Sequence, residues 1–379
     1  MVRESNEDLR KKTDKYFERT EAALDEMSHN PEVIAEITES QYPEGKWRVL
    51  TGVNEAAEIA KEAGVDFSSL EEGRLFNGGP VAKLKGNYRD FARFETALLG
   101  VLSHNSGMAT NAIKTRLAAE NSKVLSFGAR HIHPNVSELV PRNAMIGGFD
   151  GFSFVASEEE MGMEASGTMP HALMLSLGKG KQEKAWRAFH EAVDDDVPRI
   201  ALVDTFNDEV DEVLRAVEEL GEDLDGVRLD TTSSRRGDFR RIIKEVKHQL
   251  EEIGRSDVDI FVSGGLGPEE VSELDNIVDG FGVGSYVSEA ECVDFSLDIV
   301  EVEGEPISKR GKLPGEKKVV RQHDGRTHNV VRVGKNSDDD LIVPVVENGE
   351  IVREFNWEDS KKRVMEEVEN LGVQAEDIR

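Results

Sequence analysis

The sequence predicts an α/β fold, in which an irregular (β/α) barrel of parallel strands is joined to an α+β domain built from both chain ends. Through the middle of the 379-residue chain, short apolar runs alternate with helical segments at intervals of roughly 25 to 30 residues, the spacing of βα units. Towards the chain ends the apolar runs are shorter, as in DLIVPVV (340–346). We therefore expect residues 1–105 and 295–379 to form the α+β domain and residues 106–294 to form the barrel.

The barrel elements follow one another along the chain. The runs that we interpret as strands are apolar and end in polar residues or glycines; they are RIALVDTF (199–206), GVRLDTT (226–232), VDIFVSGGL (258–266) and VDGFGVGSYV (278–287). Between the second and third runs, apolar residues recur with the period of a helix. This apolar face comprises Phe239, Ile242, Ile243, Val246, Leu250 and Ile253. Parallel strands joined by helices imply a parallel sheet, closed or open.

The segment EASGTMPHALML (164–175) places a histidine between a turn and an apolar run. Gly167 and Thr168 indicate a turn and a helix cap, and residues 172–175 indicate a buried helix with His171 in its first turn. Such a histidine is either a packed side chain with one satisfied nitrogen or a titrating group at a pocket, because imidazole changes charge near neutral pH.

The charge balance of the chain is strongly acidic, with 76 acidic against 47 basic residues and a net charge of −29. Such a surface repels nucleic acid and anionic membranes, so we expect neither as a partner. The charged N-terminal stretch and the lack of a long apolar run predict a cytoplasmic protein. The single cysteine, Cys292, excludes an internal disulfide and a cysteine-built zinc cluster. We interpret the acidic excess as an adaptation to a high-salt cytoplasm, and the alternative is an ordinary acidic protein.

Polar residues stand at the C-terminal ends of the predicted strands, where parallel α/β folds carry their working residues. Asp204, Arg228 and Asp230 follow two neighbouring strands. Carboxylates there can hold ribose hydroxyls or magnesium, and can stabilise positive charge on a sugar ring. The alternative interpretation is that both aspartates are turn or helix-capping residues.

Glycine turns follow the last two predicted strands, in SGG (263–265) and GVGS (282–285). Backbone N–H groups without a neighbouring Cβ can approach a phosphate closely, so both turns favour a phosphate site. GFGVG is also a partial dinucleotide fingerprint, but it lacks the third glycine spacing and lies at the wrong end of the domain.

Nine motifs, in order along nearly the whole chain, resemble nicotinate phosphoribosyltransferase of the archaeal branch. They are TDKY (13–16), ETALLGVLSHNSGMAT (95–110), SFGAR (126–130), GGFDGFSFVA (147–156), SGTMPH (166–171), LVDTF (202–206), VRLDTT (227–232), SGGL (263–266) and FGVGS (281–285). That family joins N1 of nicotinate to C1 of the ribose of phosphoribosyl pyrophosphate (PRPP) and releases pyrophosphate, in many members with ATP hydrolysis. The resemblance implies a type II phosphoribosyltransferase fold, magnesium and ATP as cofactors, and a homodimer or higher oligomer with shared sites.

The resemblance also implies three groups of site residues. The catalytic group is His171, Asp204 and Asp230, with Asp204 also a candidate magnesium ligand. The nicotinate-binding group is Tyr16, Phe127, Arg130, Ser153, Thr168 and Arg228. The phosphate-binding group is Ser263, Gly264, Gly265, Gly282, Gly284, Ser285, Lys309, Arg310 and Lys312.

Individual roles follow from the same resemblance. Phe127 would stack on the pyridine ring beside the cation of Arg130, and Tyr16 would cover the other ring face in the partner's site. Without the resemblance, Phe127 would be interpreted as a core residue, Arg130 as a surface charge and Tyr16 as a half-buried helix residue. His171 corresponds to the histidine that ATP phosphorylates to drive the transfer forward.

Residues 152–154 bear on the choice of pyridine. Ser153 stands where related nicotinamide enzymes carry an aspartate, and a serine can donate to the carboxylate of nicotinate without opposing charge. The alternative is that Ser153 only binds backbone. Phe152 and Phe154 replace the family's threonine and asparagine and predict a more apolar pocket wall.

Three other functions remain open at this point. A relative that acts on nicotinamide or quinolinate would share the same motifs. A phosphate-binding barrel without turnover would need the glycine turns but not Asp204, Asp230 and His171. A barrel isomerase or aldolase would normally carry a lysine or glutamate base at a strand end, and none of the predicted strands ends in one.

The acidic excess predicts that folding depends on salt. At low ionic strength the like charges repel, whereas molar potassium chloride screens them to about 3 Å. We expect the thermal unfolding midpoint to rise between dilute buffer and molar potassium chloride, measured by circular dichroism. An unchanged midpoint would contradict the high-salt interpretation.

Overall fold

The computed structural model describes residues 9–40, 46–321, 328–332 and 340–379. The chain divides into two compact units. The first unit comprises the described residues within Met1–Lys114, Arg142–Gly148 and Ala290–Arg379, and the second comprises Thr115–Pro141 and Phe149–Glu289. Relative to the boundaries expected from the sequence, the first unit also takes in residues 106–114, 142–148 and 290–294.

A six-stranded parallel sheet forms the centre of the second unit. Its strands, in chain order, are β1 (Lys123–Ser126), β2 (Gly151–Phe152), β3 (Ile200–Leu202), β4 (Gly226–Leu229), β5 (Asp259–Ser263) and β6 (Gly280–Val283). They lie side by side in the order β2-β1-β6-β5-β4-β3. The first strand therefore pairs with the last, and every other neighbour is consecutive along the chain. This is the order of a barrel that is interrupted between β2 and β3, as expected from the sequence.

The interruption is flanked by hydrogen bonds from the segment that joins these two strands. The Ser166 amide donates to the Phe152 carbonyl of β2 at 2.7 Å. The indole Nε1 of Trp186 donates to the Leu202 carbonyl of β3 at 3.1 Å. Because an unpaired strand edge leaves backbone groups unsatisfied, these bonds stabilise the open side of the sheet.

The strand register brings the polar ends of β3, β4 and β5 to one level. The paired residues nearest those ends are Leu202–Arg228, Leu229–Val262, Ser263–Gly282 and Val283–Ser126. Asp204 and Asp230 each lie two residues beyond the first of these pairs. The parallel register therefore places both aspartates next to Ser263, at the edge where this class of sheet binds ligands.

Two glycines inside β6 make room for aromatic rings. A Cβ on Gly280 would lie 2.4 Å from the Phe261 ring, and a Cβ on Gly282 would lie 2.3 Å from the Phe127 ring. Both separations are far below a van der Waals contact. Gly282 therefore lies within a strand and beneath an aromatic ring, and it is not part of the turn that the sequence predicted.

Helices connect the strands of the second unit. They are Glu158–Met161, His171–Leu177, Gln182–Ala192, Glu209–Leu220, Ser233–Arg236, Phe239–Glu252, Pro268–Leu274 and Ser285–Ser288. The helices that begin in one unit and end in the other are Glu95–Ala118 and Leu139–Ile146. Among the described residues, none of the helices is both long and apolar enough to cross a bilayer.

The first unit contains a seven-stranded antiparallel sheet. Its strands, in spatial order, are Glu305–Pro306, Phe295–Val302, Glu32–Glu39, Pro80–Asn87, Asp66–Leu70, Ile342–Glu347 and Glu350–Ile351. Val33 pairs with Val302 and Glu39 with Phe295, so strands from the two chain ends are direct neighbours. This confirms the α+β domain predicted from both ends.

The described remainder of the first unit includes two short ladders and four α-helices that lie wholly within it. The ladders pair Arg48–Val49 with Leu75–Phe76 and Lys317–Arg321 with His328–Arg332. The helices are Lys15–Glu26, Val53–Ala63, Tyr88–Phe91 and Trp357–Leu371.

Three predictions about the helices of the second unit were wrong. Ile253 lies beyond the helix Phe239–Glu252 and is exposed. The helix His171–Leu177 is not a buried helix: Met174 is its buried residue, and Leu175 is 59% exposed. Pro170 occupies the N-cap position, so Thr168 is not the cap. The apolar residues after His171 therefore did not indicate a buried helix.

Candidate active site

His171 begins the helix His171–Leu177 and is held by two carboxylates. Its Nε2 lies 2.9 Å from Oδ1 of Asp204, and its Nδ1 lies 3.8 Å from Oδ2 of Asp230. The hydrogen bond to Asp204 raises the pKa of His171, burial opposes this, and the charges of both aspartates raise it further. The imidazole is 34% exposed. It is therefore an accessible base rather than a packed core histidine.

Asp204 is the buried centre of the site, with a side chain 1% exposed. Its Oδ1 binds His171, while its Oδ2 accepts from the Asp230 amide at 2.6 Å and from the Thr231 hydroxyl at 3.3 Å. The single proton of the Thr231 hydroxyl is shared with Glu209, which lies nearer, at 2.9 Å. Both Asp204 oxygens thus have partners from the protein, which ties the ends of β3 and β4 to the histidine.

Asp230 is less buried than Asp204. Its Oδ1 accepts from the Ser263 hydroxyl at 3.0 Å, across from the end of β5. Within the described residues, its Oδ2 accepts no hydrogen bond. Because Oδ2 lies 3.8 Å from Nδ1 of His171, it is less tightly held than the oxygens of Asp204.

Arg228 points from β4 to the segment before His171. It donates through Nη1 to the Thr168 hydroxyl and through Nη2 to the Met169 carbonyl at 2.9 Å. Its buried Nε has no hydrogen-bond acceptor in the described residues. Burial lowers the pKa of Arg228, the charges of Asp230 and Asp204 oppose this, and Arg130 lowers it further. The structure thus brings Arg228 together with Thr168, as the sequence predicted for one pocket.

Phe127 follows β1, and its half-buried ring lies on the backbone of Gly282. Part of the ring is therefore covered by the protein. Arg130 is exposed in the turn Ala129–His131, three residues further along. Stacking on a pyridine and contact of Gly282 with phosphate both stay predictions.

The turn after β5 is the more open of the two predicted phosphate turns. Gly264 and Gly265 have φ angles of 94° and 65°, which favour glycine, and both are exposed. After β6, a Cβ on Gly284 would lie 3.2 Å from Nε2 of His131. Ser285 then begins the short helix Ser285–Ser288.

Arg236 is a site residue that the sequence reasoning missed. Its Nε donates to the Thr231 carbonyl at 2.9 Å, and its Nη2 donates to the carbonyls of Ser263 at 3.2 Å and Gly264 at 2.5 Å. The signal in the sequence was the run SSRRG (233–237), which begins three residues after the strand-end Asp230.

Ser153 donates its hydroxyl to the Ser126 carbonyl at 3.2 Å, as in the backbone-binding alternative. Its role in the choice of pyridine stays a prediction. Phe152 is fully buried and so does not form an exposed pocket wall, whereas Phe154 is half-buried.

Tyr16 and the basic residues assigned to phosphate lie in the first unit. Tyr16 is exposed on the helix Lys15–Glu26. Lys309 and Lys312 both bind Asp298, at 2.5 and 3.1 Å, and the Asp298 side chain is 8% exposed. Burial raises the pKa of Asp298, but the hydrogen bonds from the two lysines outweigh this effect and hold the pKa below its usual range. Arg310, between the two lysines, is exposed and has no ion-pair partner in the described part of the chain.

Metal ligands are few at this site. In the part of the chain that the structure describes, no three His, Cys, Asp or Glu side chains are grouped as a metal site. Both oxygens of Asp204 already accept hydrogen bonds from the protein, and its role as a magnesium ligand stays a prediction.

Comparison with known proteins places this site in a family. Residues 14–106 match the N-terminal domain of quinolinate phosphoribosyl transferase, and residues 108–298 match its C-terminal domain. The chain belongs to this phosphoribosyltransferase family. The second match covers the whole parallel sheet and every strand-end residue described above.

Two of the similar proteins are named nicotinate phosphoribosyltransferase. A nicotinate phosphoribosyltransferase of Mycobacterium tuberculosis is 30% identical over 277 residues, which are 70% of this chain and 60% of that protein. One of Bacillus subtilis is 26% identical over 281 residues, 69% of this chain and 56% of that protein. The chain thus spans less than two thirds of the length of these two relatives.

Two solved structures share the architecture along almost the full length. Nicotinate-nucleotide pyrophosphorylase from Pyrococcus furiosus is 43% identical, with a TM-score of 0.93 and 99% of both chains covered. Human nicotinic acid phosphoribosyltransferase is 18% identical, with a TM-score of 0.73, covering 95% of this chain and 94% of that one. The second similarity shows the fold alone.

The carboxylates around His171 predict a measurable titration. We expect its pKa, followed by NMR, to lie above the ordinary 6.5 and to fall in Asp204→Asn, which removes the largest raising contribution. A raised pKa adds stability that is complete below pH 6.5 and is lost as the pH rises through the folded-state pKa. The free energy of unfolding should therefore fall most in Asp204→Asn at acidic pH.

His104 provides the internal control, because burial lowers its pKa without either aspartate. Its midpoint should be the same in both proteins. A His171 midpoint that does not move in Asp204→Asn would contradict the assigned hydrogen bond.

Proposed function

We propose that this phosphoribosyltransferase transfers the phosphoribosyl group of PRPP to N1 of nicotinate, coupled to ATP hydrolysis through His171. The observation that carries the proposal is the pair of His171 with buried Asp204. An imidazole that donates its Nε2 proton to a carboxylate carries its lone pair on Nδ1, and that atom lies 3.8 Å from Oδ2 of Asp230.

A phosphorylatable histidine has a purpose in the nicotinate reaction. Nicotinate transfer releases only pyrophosphate, so ATP hydrolysis is an added source of driving force. In the coupling step the N–P bond to Nδ1 forms as the bond between the γ-phosphorus and ADP oxygen breaks, and ADP leaves. Hydrolysis of the phosphohistidine later restores the free imidazole.

In the transfer step, the pyridine N1 lone pair forms a bond to C1 of the ribose while the C1–O bond to pyrophosphate breaks. Positive charge develops on the ribose ring. Asp230 has the available oxygen to bind ribose hydroxyls and stabilise that charge. Arg228, with an unpaired buried Nε, supports binding of the nicotinate carboxylate.

Magnesium fits the proposed chemistry as the ion that accompanies pyrophosphate. Mg²⁺ usually takes one or two carboxylates together with substrate phosphates and water. Asp230 fits that role better than Asp204, because Oδ2 of Asp230 carries no hydrogen bond within the described residues. The ion would neutralise charge on the leaving pyrophosphate.

Quinolinate is the second candidate substrate, favoured by the two family matches over residues 14–106 and 108–298. Quinolinate carries one more carboxylate than nicotinate, and forming nicotinate mononucleotide from it releases carbon dioxide. That release supplies driving force of its own, so a quinolinate enzyme does not need a phosphohistidine. The His171–Asp204 pair is the reason for placing nicotinate first.

A substrate panel tests the proposal. The protein, in molar potassium chloride with magnesium and PRPP, is given nicotinate, quinolinate or nicotinamide, each with and without ATP. We expect nicotinate mononucleotide from nicotinate, formed faster or to a greater extent with ATP, as measured by chromatography. If mononucleotide forms from quinolinate but not from nicotinate, with release of carbon dioxide, then quinolinate is the substrate and the nicotinate proposal is wrong.

The variant His171→Ala isolates the ATP-dependent part of turnover. We expect it to keep ATP-independent turnover and lose ATP stimulation, because an imidazole that relays a phosphoryl group need not contact the pyridine ring. Mass spectrometry after incubation with ATP should show one phosphoryl group on the wild type and none on the variant. His248→Ala, at an exposed position of Phe239–Glu252, is the matched control. Full ATP stimulation in His171→Ala would exclude the relay.

A further inference from the structure

The guanidinium of Arg236 joins the ends of two parallel strands through main-chain carbonyls. One acceptor, Thr231, follows β4, and the other two, Ser263 and Gly264, lie at the end of β5. Arg236 also lies over the ring of Phe239 at 4.5 Å from its centroid. Because Phe239 is buried, this contact helps to fix the plane of the guanidinium.

One of these acceptors, Gly264, belongs to a pair of adjacent glycines, whose backbone can adopt many conformations. Gly264 and Gly265 both have positive φ angles, and little packs around Gly265. Two adjacent glycines have more backbone freedom than any other residue pair. A peptide flip here would exchange the direction of a carbonyl and the following amide, so the orientation of the turn needs an external contact.

The direction of these carbonyls sets the direction of the amides. In a trans peptide the C=O and the following N–H point to opposite sides. Since the Ser263 and Gly264 carbonyls point to Arg236, the amides of Gly264 and Gly265 point away from it. A flipped peptide would instead present a carbonyl oxygen, which repels a phosphate.

Asp230 lies close to the same glycine. A Cβ on Gly264 would be 2.7 Å from Oδ1 of Asp230 and 3.1 Å from Nη2 of Arg236. The ribose-binding carboxylate and the arginine therefore border the same Cα, so the geometry of the turn and that of the carboxylate are linked.

We propose that Arg236 is a positioning residue for the phosphoribosyl donor: it holds the Ser263–Gly265 turn with its amides directed to the donor phosphate. It acts through the turn and need not touch the pyridine. This inference rests on the assignment of that turn to the phosphate of PRPP, which is part of the proposed function.

The test measures donor binding directly. Ribose 5-phosphate and PRPP are titrated calorimetrically, without a pyridine, into wild type, Arg236→Ala, Arg236→Lys and the control Arg235→Ala. Arg235 is exposed on the same short helix, and its side chain has no hydrogen bond or ion pair in the described residues. The control therefore makes the same change in charge without removing the three carbonyl contacts.

We expect Arg236→Ala to weaken binding of both ligands about tenfold or more, the usual effect of losing charge-assisted hydrogen bonds. Arg236→Lys, whose ammonium lacks the planar fork, should be intermediate, and Arg235→Ala should match wild type. In turnover, the KM for PRPP should rise while the KM for the pyridine stays the same. The Lys variant keeps the test valid if the Ala variant unfolds.

Wild-type affinity in both Arg236 variants would overturn the inference. An equal rise of the KM for PRPP and pyridine, with a lowered thermal midpoint, would also overturn it by indicating general destabilisation. A wild type that fails to bind ribose 5-phosphate would instead contradict the phosphate assignment of the turn, so the two failures are distinguishable.

Discussion

The buried carboxylate of Asp204 is the constraint around which the active end of the parallel sheet is arranged. A carboxylate removed from water is costly unless nearly every lone pair has a donor, and Asp204 finds donors in His171, the Asp230 amide and Thr231. Those donors come from two separate segments, the start of the helix His171–Leu177 and the residues after β4. Satisfying one buried charge thus fixes the histidine and the ends of two strands together.

The same requirement separates the roles of the two aspartates. Both carboxylate oxygens of Asp204 bind protein groups. The carboxylate therefore orients the His171 ring and raises the pKa of its imidazole. Asp230, at the same level on the next strand, keeps one oxygen available to a ligand. Two carboxylates that look equivalent in the sequence therefore have different surroundings, because the Asp204 side chain is 1% exposed and that of Asp230 is 26% exposed.

Backbone geometry governs the other half of the site. Gly282 is needed because the Phe127 ring occupies the space of a side chain, whereas Gly264 and Gly265 are needed for their positive φ angles. The cations are divided in a similar way. Lys309 and Lys312 neutralise a buried aspartate within the first unit, and Arg236 binds carbonyls, so several positive charges in this acidic chain have structural partners.

The sequence by itself determined the βα succession, the α+β domain from both ends and the strand-end residues Asp204, Asp230 and Ser263, because these follow from local periodicity and from the common polarity of parallel strands. It did not determine the burial of the segment 172–175, or that Gly282 lies within a strand. The sequence also did not determine the hydrogen-bond and ion-pair partners of Arg236 and Lys312. These features depend on atoms that are distant along the chain and meet only when the strand register is set. Only the tertiary structure therefore decided which aspartate is enclosed, which glycine faces a ring and which arginine binds the turn after β5.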